Sequence, residues 1–297
     1  MNETSPMYLG SDRVGLRSTA EKILLALVFM GAVLLIYTVF GPYNRLLEKS
    51  LDYPGRMLLI ASLTGVYFLV RRSRRFEKYS QLVKGLLIMS VAVSLSWISG
   101  IYLLEYVRVR DTTPVGFALM KLNEAVVIVV TIISLTALFG EGVGSIYLQR
   151  GNLRRGLLIG ILVFCLAAAG SAPMAGLLFK GNGLTLARVL PWIPWILIAA
   201  LANGFEEELI FRGLFLRKLG PFLGKFSSNL IIALAFTFIH RGASYTTSDL
   251  IFLAALVPLA LLWGYLMQKT DGIWASFLFH AGMDIPIFLG IFAAATS

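Results

Sequence analysis

The feature that most constrains this chain is a series of apolar runs, each close to the roughly 20 residues that a helix needs to cross a hydrocarbon layer. The runs cover residues 23–41, 54–70, 85–106, 116–139, 156–179, 190–211, 226–240, 250–268 and 273–295. Hydrophobic residues make up 58% of the chain and charged residues 14%, which is outside the range of a soluble domain. The runs are continuous, whereas strands of a membrane barrel alternate in polarity. The sequence therefore predicts an all-α, polytopic transmembrane helical bundle with about eight or nine membrane helices.

The basic residues divide unevenly between alternate connections. Of the 26 Lys and Arg, 17 fall in one set, which comprises the N-terminal segment, the connections at 71–84, 140–155 and 212–225, and Lys269. Because cytoplasmic loops carry the excess of Lys and Arg, we expect the N-terminus in the cytoplasm. A basic balance of this kind reflects topology and lipid headgroups, so the expected partners include the lipid bilayer and exclude nucleic acid.

The ionisable residues within the spans also divide unevenly. The connections are too short for a soluble module, so we expect residues 1–297 to form a single membrane domain. Residues 1–185 have few ionisable groups inside their spans, and residues 186–297 have many. The pair Lys121 and Glu124 in the fourth run is predicted to be a local ion pair near the outer interface.

Three consecutive glutamates lie in the sixth run, in the stretch NGFEEELIFRG. A lone carboxylate at the centre of a membrane helix costs at least ~3 kcal/mol, so these side chains need partners, protons or water. Glu208 and Arg212 are four residues apart and are predicted to form an ion pair within the helix. Glu207 lies on another face, shared with Asn203, and has no cation in register. Glu206 could face headgroups, water or another helix.

The chain has two histidines, and both fall in late apolar runs. His240 ends the stretch FTFIH, and His280 and Asp284 share a helix face at a spacing of four residues. If the seventh helix runs straight from Lys225, His240 lies deeper than His280, and tilt, a broken helix or a displaced entry would be needed to bring them together. A shared polar cavity would avoid burying each group alone.

Such a cavity would suit water-mediated hydrolysis of an amide bond. Glu207 could take a proton from water with the help of His240. His280 and Asp284 could face the carbonyl oxygen, whose negative charge grows in the transition state. Asp284 can donate a hydrogen bond to that oxygen only when it is protonated, a form that burial beside other carboxylates favours.

These stretches resemble the three motifs of the CPBP intramembrane protease family, which includes type II CAAX prenyl endopeptidases and bacteriocin-processing or self-immunity proteins. The motifs read EExxxR, FxxxH and Hxxx(N/D), and the chain matches all three in order. The matching residues are Glu207, Glu208, Arg212, Phe236, His240, His280 and Asp284. The resemblance implies that residues 186–297 form the catalytic core, whereas residues 1–185 are helices of unassigned role.

The resemblance also implies roles for individual residues. Glu207 and His240 would activate water, and His280 and Asp284 would form an oxyanion hole. In the prenyl proteases the last position is Asn, so Asp284 departs from that version. The family is often called metalloprotease, and zinc is possible here, but a metal-free mechanism is preferred because no HExxH motif is present.

The expected function is therefore an intramembrane endopeptidase that cleaves a membrane-associated, lipidated or hydrophobic peptide or protein. We expect a multi-pass protein of a prokaryotic plasma membrane. One alternative is a non-catalytic immunity or scaffold protein with the same fold, in which the buried polar residues only stabilise packing. A proton-coupled transporter is another, because membrane Glu, Arg and His also build proton relays.

Overall fold

The computed structural model describes residues 18–39, 49–107, 113–243 and 245–295, and all regular structure in these residues is helical. The predicted all-α bundle is confirmed. The end of the first predicted span lies outside the described residues. So do several basic residues used for the topology prediction, namely Arg13, Arg17, Arg45, Arg108 and Arg110.

The helices follow one another without any intervening soluble module in the described ranges. They are α1 (Thr19–Leu34), α2 (Lys49–Arg72), α3 (Ser80–Val107), α4 (Pro114–Leu138), α5 (Leu153–Ala169), α6 (Ser171–Leu178), α7 (Leu186–Val189), α8 (Ile193–Glu207), α9 (Leu214–Leu223), α10 (Lys225–Ile239), α11 (Asp249–Thr270) and α12 (Trp274–Ala295). Two π-helical segments interrupt the regular winding, at Leu35–Val39 after α1 and at Glu208–Gly213 between α8 and α9.

Each predicted apolar run corresponds to a helix, but not every one is a straight crossing. Among the described residues, seven helical segments are long and apolar enough to span a membrane, and α5 and α6 give an eighth if this pair, bent by 61°, is one span. The sixth run lies within a longer helical segment, Leu186–Leu223. The seventh run is the short helix α10, of 15 residues. The chain is a multi-pass membrane protein.

Helix α12 lies at the centre of the carboxyl-terminal half and is buried along most of its length. Small residues let its neighbours approach closely, as expected where helices associate by packing in a membrane. A Cβ on Gly204 of α8 would lie 2.8 Å from the backbone nitrogen of Ala281, and one on Gly282 would lie 2.9 Å from the Cα of Phe164 in α5. These contacts fix α8 and α5 against α12.

The amino-terminal helices pack directly on the helices that carry the glutamates. The rings of Phe29 and Phe215 are 4.9 Å apart, and those of Tyr37 and Phe211 are 5.1 Å apart. Helix α4 packs against both α3 and α8. The two halves of the chain therefore pack together in shared hydrophobic clusters.

Polar residues from several predicted cytoplasmic connections meet at one end of the bundle. Lys84 donates to Glu141, and the Lys218 Nζ lies 3.6 Å from the second oxygen of the same carboxylate. Nearby in sequence, Arg217 pairs with Asp271 at 2.7 Å. The connections that the charge pattern assigned to one side of the membrane are thus joined to one another.

Candidate active site

The long segment Leu186–Leu223 carries the first half of the site. Its π-helical segment, Glu208–Gly213, follows directly on the glutamates, and π-turns occur often at functional sites. The predicted ion pair is present, with 2.6 Å between Arg212 Nη1 and Glu208 Oε1, and both side chains are fully buried. The guanidinium group also lies over the rings of Phe236 and Trp263, at 4.7 and 5.2 Å from the ring centroids.

Glu208 holds His280 in place. Its Oε1 lies 2.9 Å from His280 Nδ1, and its Oε2 accepts a hydrogen bond from Ser276. Because a carboxylate only accepts hydrogen bonds, Nδ1 carries the proton in this contact. The indole of Trp263 stacks on the imidazole at 3.9 Å with an interplanar angle of 8°. These contacts fix the orientation of the ring.

The other ring nitrogen of His280 faces two further carboxylates. Its Nε2 lies 3.4 Å from Glu207 Oε2 and 3.7 Å from Asp284 Oδ1. The second oxygen of Asp284 accepts a hydrogen bond from Asn203 Nδ2 at 3.0 Å. His280 therefore connects the buried pair of Glu208 and Arg212 to the carboxylates on the other side of its ring.

His240 caps the carboxyl end of α10. Its Nδ1 lies 2.8 Å from the carbonyl oxygen of Phe236, which can only accept, so the neutral ring has its hydrogen on Nδ1 and an acceptor at Nε2. The predicted neighbour Phe236 contacts both histidines, at 4.5 Å from the His240 ring and 5.7 Å from the His280 ring. The two histidines line one cavity, although His240 follows the full 15-residue helix α10.

A cavity of about 190 Å³ brings most of these side chains together. Its lining includes the polar residues Lys121, Asn203, Glu207, His240, His280 and Asp284, together with apolar side chains such as Phe117, Phe252 and Leu259. Glu208 and Arg212, which were predicted as site residues, lie behind this wall. They are placed to orient His280, whereas Glu207, His240, His280 and Asp284 can contact a molecule in the cavity.

Lys121 lies in the cavity wall, whereas the sequence predicted it near the outer interface of the membrane. Its predicted pair with Glu124 is present at 2.8 Å, but its Nζ also lies 4.0 Å from Glu206 Oε1. Glu206, whose environment the sequence left open, is 2% exposed. The sequence did contain an indication of this position, a lysine in the middle of an apolar run. A charged side chain there costs free energy unless it faces the protein interior.

Among the residues that the structure describes, the side chains do not offer a ligand set for zinc. In the described part of the chain, no three His, Cys, Asp or Glu side chains are grouped so as to hold a metal ion. Structural and catalytic zinc sites need at least three protein ligands converging on one point. The chemistry of the site is therefore derived below from its own acids, bases and hydrogen-bond donors.

Comparison with known proteins identifies one family. Residues 189–286 match the family model described as Type II CAAX prenyl endopeptidase Rce1-like. This range contains all three motifs, and the prediction of a CPBP or CAAX protease relationship is confirmed for it. Comparisons with curated proteins and with solved structures give no match.

Proposed function

We propose that this chain, whose residues 189–286 form an Rce1-like domain, is an intramembrane endopeptidase that hydrolyses a peptide bond with water activated by Glu207. The observation that supports this most is the meeting of Glu207, His240, His280 and Asp284, from three separate helices, around one cavity. A carboxylate and imidazoles in such an arrangement are the usual parts of general acid–base catalysis.

In the proposed reaction, Glu207 takes a proton from a water molecule in the cavity while the water oxygen attacks the carbonyl carbon. His240, in the same wall, orients that water through its Nε2. The tetrahedral intermediate forms, the Glu207 proton moves to the amide nitrogen, and the carbon–nitrogen bond breaks to release an amine and a carboxylic acid. A base positioned in this way contributes roughly 10²–10⁴-fold to the rate.

The negative charge on the carbonyl oxygen needs a donor in a low-dielectric site. His280 donates through Nε2 when the ring is an imidazolium, since Nδ1–H is already used by Glu208. Asp284 donates when it is protonated. Asn203 contacts Asp284 and so orients it. In this proposal Glu208 and Arg212 are positioning residues, because Glu208 contacts His280, Arg212 holds Glu208, and neither lines the cavity.

We propose that the substrate is a peptide or protein at the membrane, hydrophobic or lipidated, because the site lies among helices that span the bilayer. The end of the bundle at which Lys84, Glu141 and Lys218 meet would face the cytoplasm, with the N-terminus on that side. The excess of Lys and Arg in the connections at that end supports this orientation. The proposed location is the plasma membrane of a prokaryote.

The test is cleavage of quenched fluorescent peptides by the purified full-length protein in liposomes. Glu207→Gln should reduce kcat by roughly 10²–10⁴-fold, because the amide cannot act as a base. Glu77→Gln, at an exposed position outside the site, is the matched control and should cleave like the wild type. Equal cleavage by Glu207→Gln and wild type, or no cleavage by either together with proton-coupled flux, would contradict the proposal.

A further inference from the structure

A second, larger cavity adjoins the catalytic cavity. Its volume is about 470 Å³, within the range of roughly 300–1,000 Å³ that is usual for ligand sites. Four residues line both cavities, namely Phe117, Lys121, Glu207 and His240. A molecule in the larger cavity would therefore reach the carboxylate proposed as the catalytic base.

The larger cavity is built mainly by the amino-terminal helices. Its lining residues on α2, α3 and α4 precede residue 189, where the Rce1-like match begins. They include Arg56, Trp97, Ile101, Met120, Asn123 and Ile128. The first half of the chain, to which the sequence assigned no role, thus contributes a cavity next to the proposed catalytic residues.

The buried polar atoms of the wall include two, on Asn123 and Glu206, that have no hydrogen-bond partner among the described residues. They are Asn123 Nδ2, a donor, and Glu206 Oε2, an acceptor. The side chain of Asn123 is oriented by Ser99, whose Oγ lies 2.8 Å from Asn123 Oδ1. Buried polar groups are normally hydrogen-bonded, so an unpaired donor and an unpaired acceptor in one cavity indicate a ligand that offers both kinds of partner.

The two cations of the wall, Arg56 and Lys121, are already paired, and Glu206 and Glu207 add two further carboxyl groups. Arg56 pairs with Asp52 at 3.0 Å, and Lys121 pairs with Glu124 at 2.8 Å. A free anion such as phosphate would therefore find no excess positive charge. Most of the remaining wall is apolar or aromatic, which suits a ligand that has hydrophobic groups and a few polar ones.

A peptide segment meets these requirements better than a lipid chain does. Its backbone offers a carbonyl to Asn123 and an N–H to Glu206, and its apolar side chains can contact Trp97 and Ile101. A hydrocarbon chain would leave both polar atoms unpaired.

We propose that the larger cavity binds the short apolar segment of the substrate on one side of the bond to be cleaved, with Asn123 donating to a backbone carbonyl and Glu206 accepting from a backbone N–H. This inference rests on the proposed protease function. It assigns substrate binding to residues on helices α2, α3 and α4, outside the matched range, together with Glu206 inside it.

Disulfide trapping tests the proposal in the full-length protein. The background carries Cys165→Ser, which removes the exposed native thiol, and Glu207→Gln, which should slow cleavage by roughly 10²–10⁴-fold. Ser96→Cys places a thiol in the cavity wall, and Leu95→Cys, at a neighbouring position that is 44% exposed on the outside of the helix, is the matched control. The probes are apolar peptides with one cysteine at successive positions, activated as mixed disulfides, and an activated alkyl thiol.

We expect Ser96→Cys to capture the peptides at least roughly tenfold more than Leu95→Cys does, and Asn123→Leu to reduce that capture by about tenfold, the loss of one hydrogen bond to a peptide group. Equal capture at the two positions, no effect of Asn123→Leu, or capture of the alkyl thiol as efficiently as the peptides would overturn the inference.

Cleavage by the wild type without capture would refute only this inference. Capture without any cleavage by the wild type would refute only the proposed function.

Discussion

Glu207 and Glu208 are adjacent and chemically identical, but their surroundings give them different tasks. Glu208 is fully buried, and its two oxygens are engaged by Arg212, His280 and Ser276. Glu207 retains some exposure and lines the cavity. A carboxylate that is held by three donors orients its neighbours, whereas one beside open volume can exchange a proton with water.

The first prediction concerns the charge balance of Glu208. Arg212→Met should lower the free energy of unfolding by roughly 3–5 kcal/mol, because it leaves a buried carboxylate without its cation. Thermal unfolding in detergent micelles measures the change. Arg217→Met is the control, since its partner Asp271 is 61% exposed and such pairs contribute only about 0–1 kcal/mol. Similar losses in both variants would contradict this description of the pair.

Local spacing was enough to predict some contacts of these residues and not others. The pair of Glu208 and Arg212 follows from helical geometry, and the shared face of His280 and Asp284 does too. The contact of Glu208 with His280 and the approach of Lys121 to Glu206 join helices that are far apart in sequence. No pattern within one helix specifies them, because they depend on how α4, α8 and α12 pack.

At the scale of helices, the site depends on how closely α8 and α12 approach. Gly204 allows this approach, one residue from Asn203 and one turn from Glu208. The hydrogen bonds from Asn203 to Asp284 and from His280 to Glu208 both cross the same interface.

The second prediction is that Gly204→Ala reduces both stability and activity. The added Cβ would lie 2.8 Å from the Ala281 nitrogen, and overpacking of this kind costs about 1–3 kcal/mol. Thermal unfolding and peptide cleavage should both decline. Gly220→Ala is the matched control, because its Cβ would meet nothing within 4 Å and would stabilise α9 by up to about 1 kcal/mol. A Gly204→Ala protein that is as active and stable as wild type would refute the role of this contact.

The third prediction concerns Glu141, which joins α3 and α9 outside the spans. Burial alone would raise the pKa of Glu141, but the charge of Lys218 and the hydrogen bond and charge of Lys84 outweigh it and hold the pKa below its ordinary value. A carboxyl group whose pKa is lowered by folding stabilises the protein at every pH above its pKa in the unfolded chain, which is about 4.3 for Glu. This stabilisation is lost as the pH falls through the pKa of the folded state.

Glu141→Gln should therefore destabilise the protein at pH 7 by roughly 1–3 kcal/mol, since Lys84 and Lys218 remain buried without their anion. The difference from wild type should narrow as the pH is lowered below about 4. Thermal unfolding across this pH range measures it, with the exposed Glu77→Gln as control. A difference that stays constant with pH would contradict the assignment to this carboxylate.

At the scale of the whole molecule, the two halves of the chain form one structure. Phe29 and Tyr37 pack on Phe215 and Phe211, and α4 lies against α8. The sequence predicted the apolar runs and the concentration of ionisable groups after residue 186. It also predicted that the seventh run, now α10, would be short. It did not predict that α5 and α6 would be bent, because hydropathy measures composition and not the path of the helix.

The fourth prediction follows from this shared packing. Residues 186–297 expressed alone should have no measurable peptidase activity, because they would expose to lipid a surface shaped to pack against α1, α3 and α4. Co-expression with residues 1–185 should restore cleavage, since the break falls in the connection before α7. Activity of residues 186–297 alone at the rate of the full chain would contradict the role given to the amino-terminal helices.

The central claim is that side chains from α8, α10 and α12 act as one catalytic unit around one cavity. A double-mutant cycle with Glu207→Gln and His280→Gln tests this claim most directly, with kcat/KM for a quenched fluorescent peptide as the measured quantity. Residues that act as a unit are strongly non-additive, so we predict that the double variant cleaves about as slowly as the slower single variant. If the two losses multiply, as they do for independent sites, the residues do not share one catalytic step and the account is wrong.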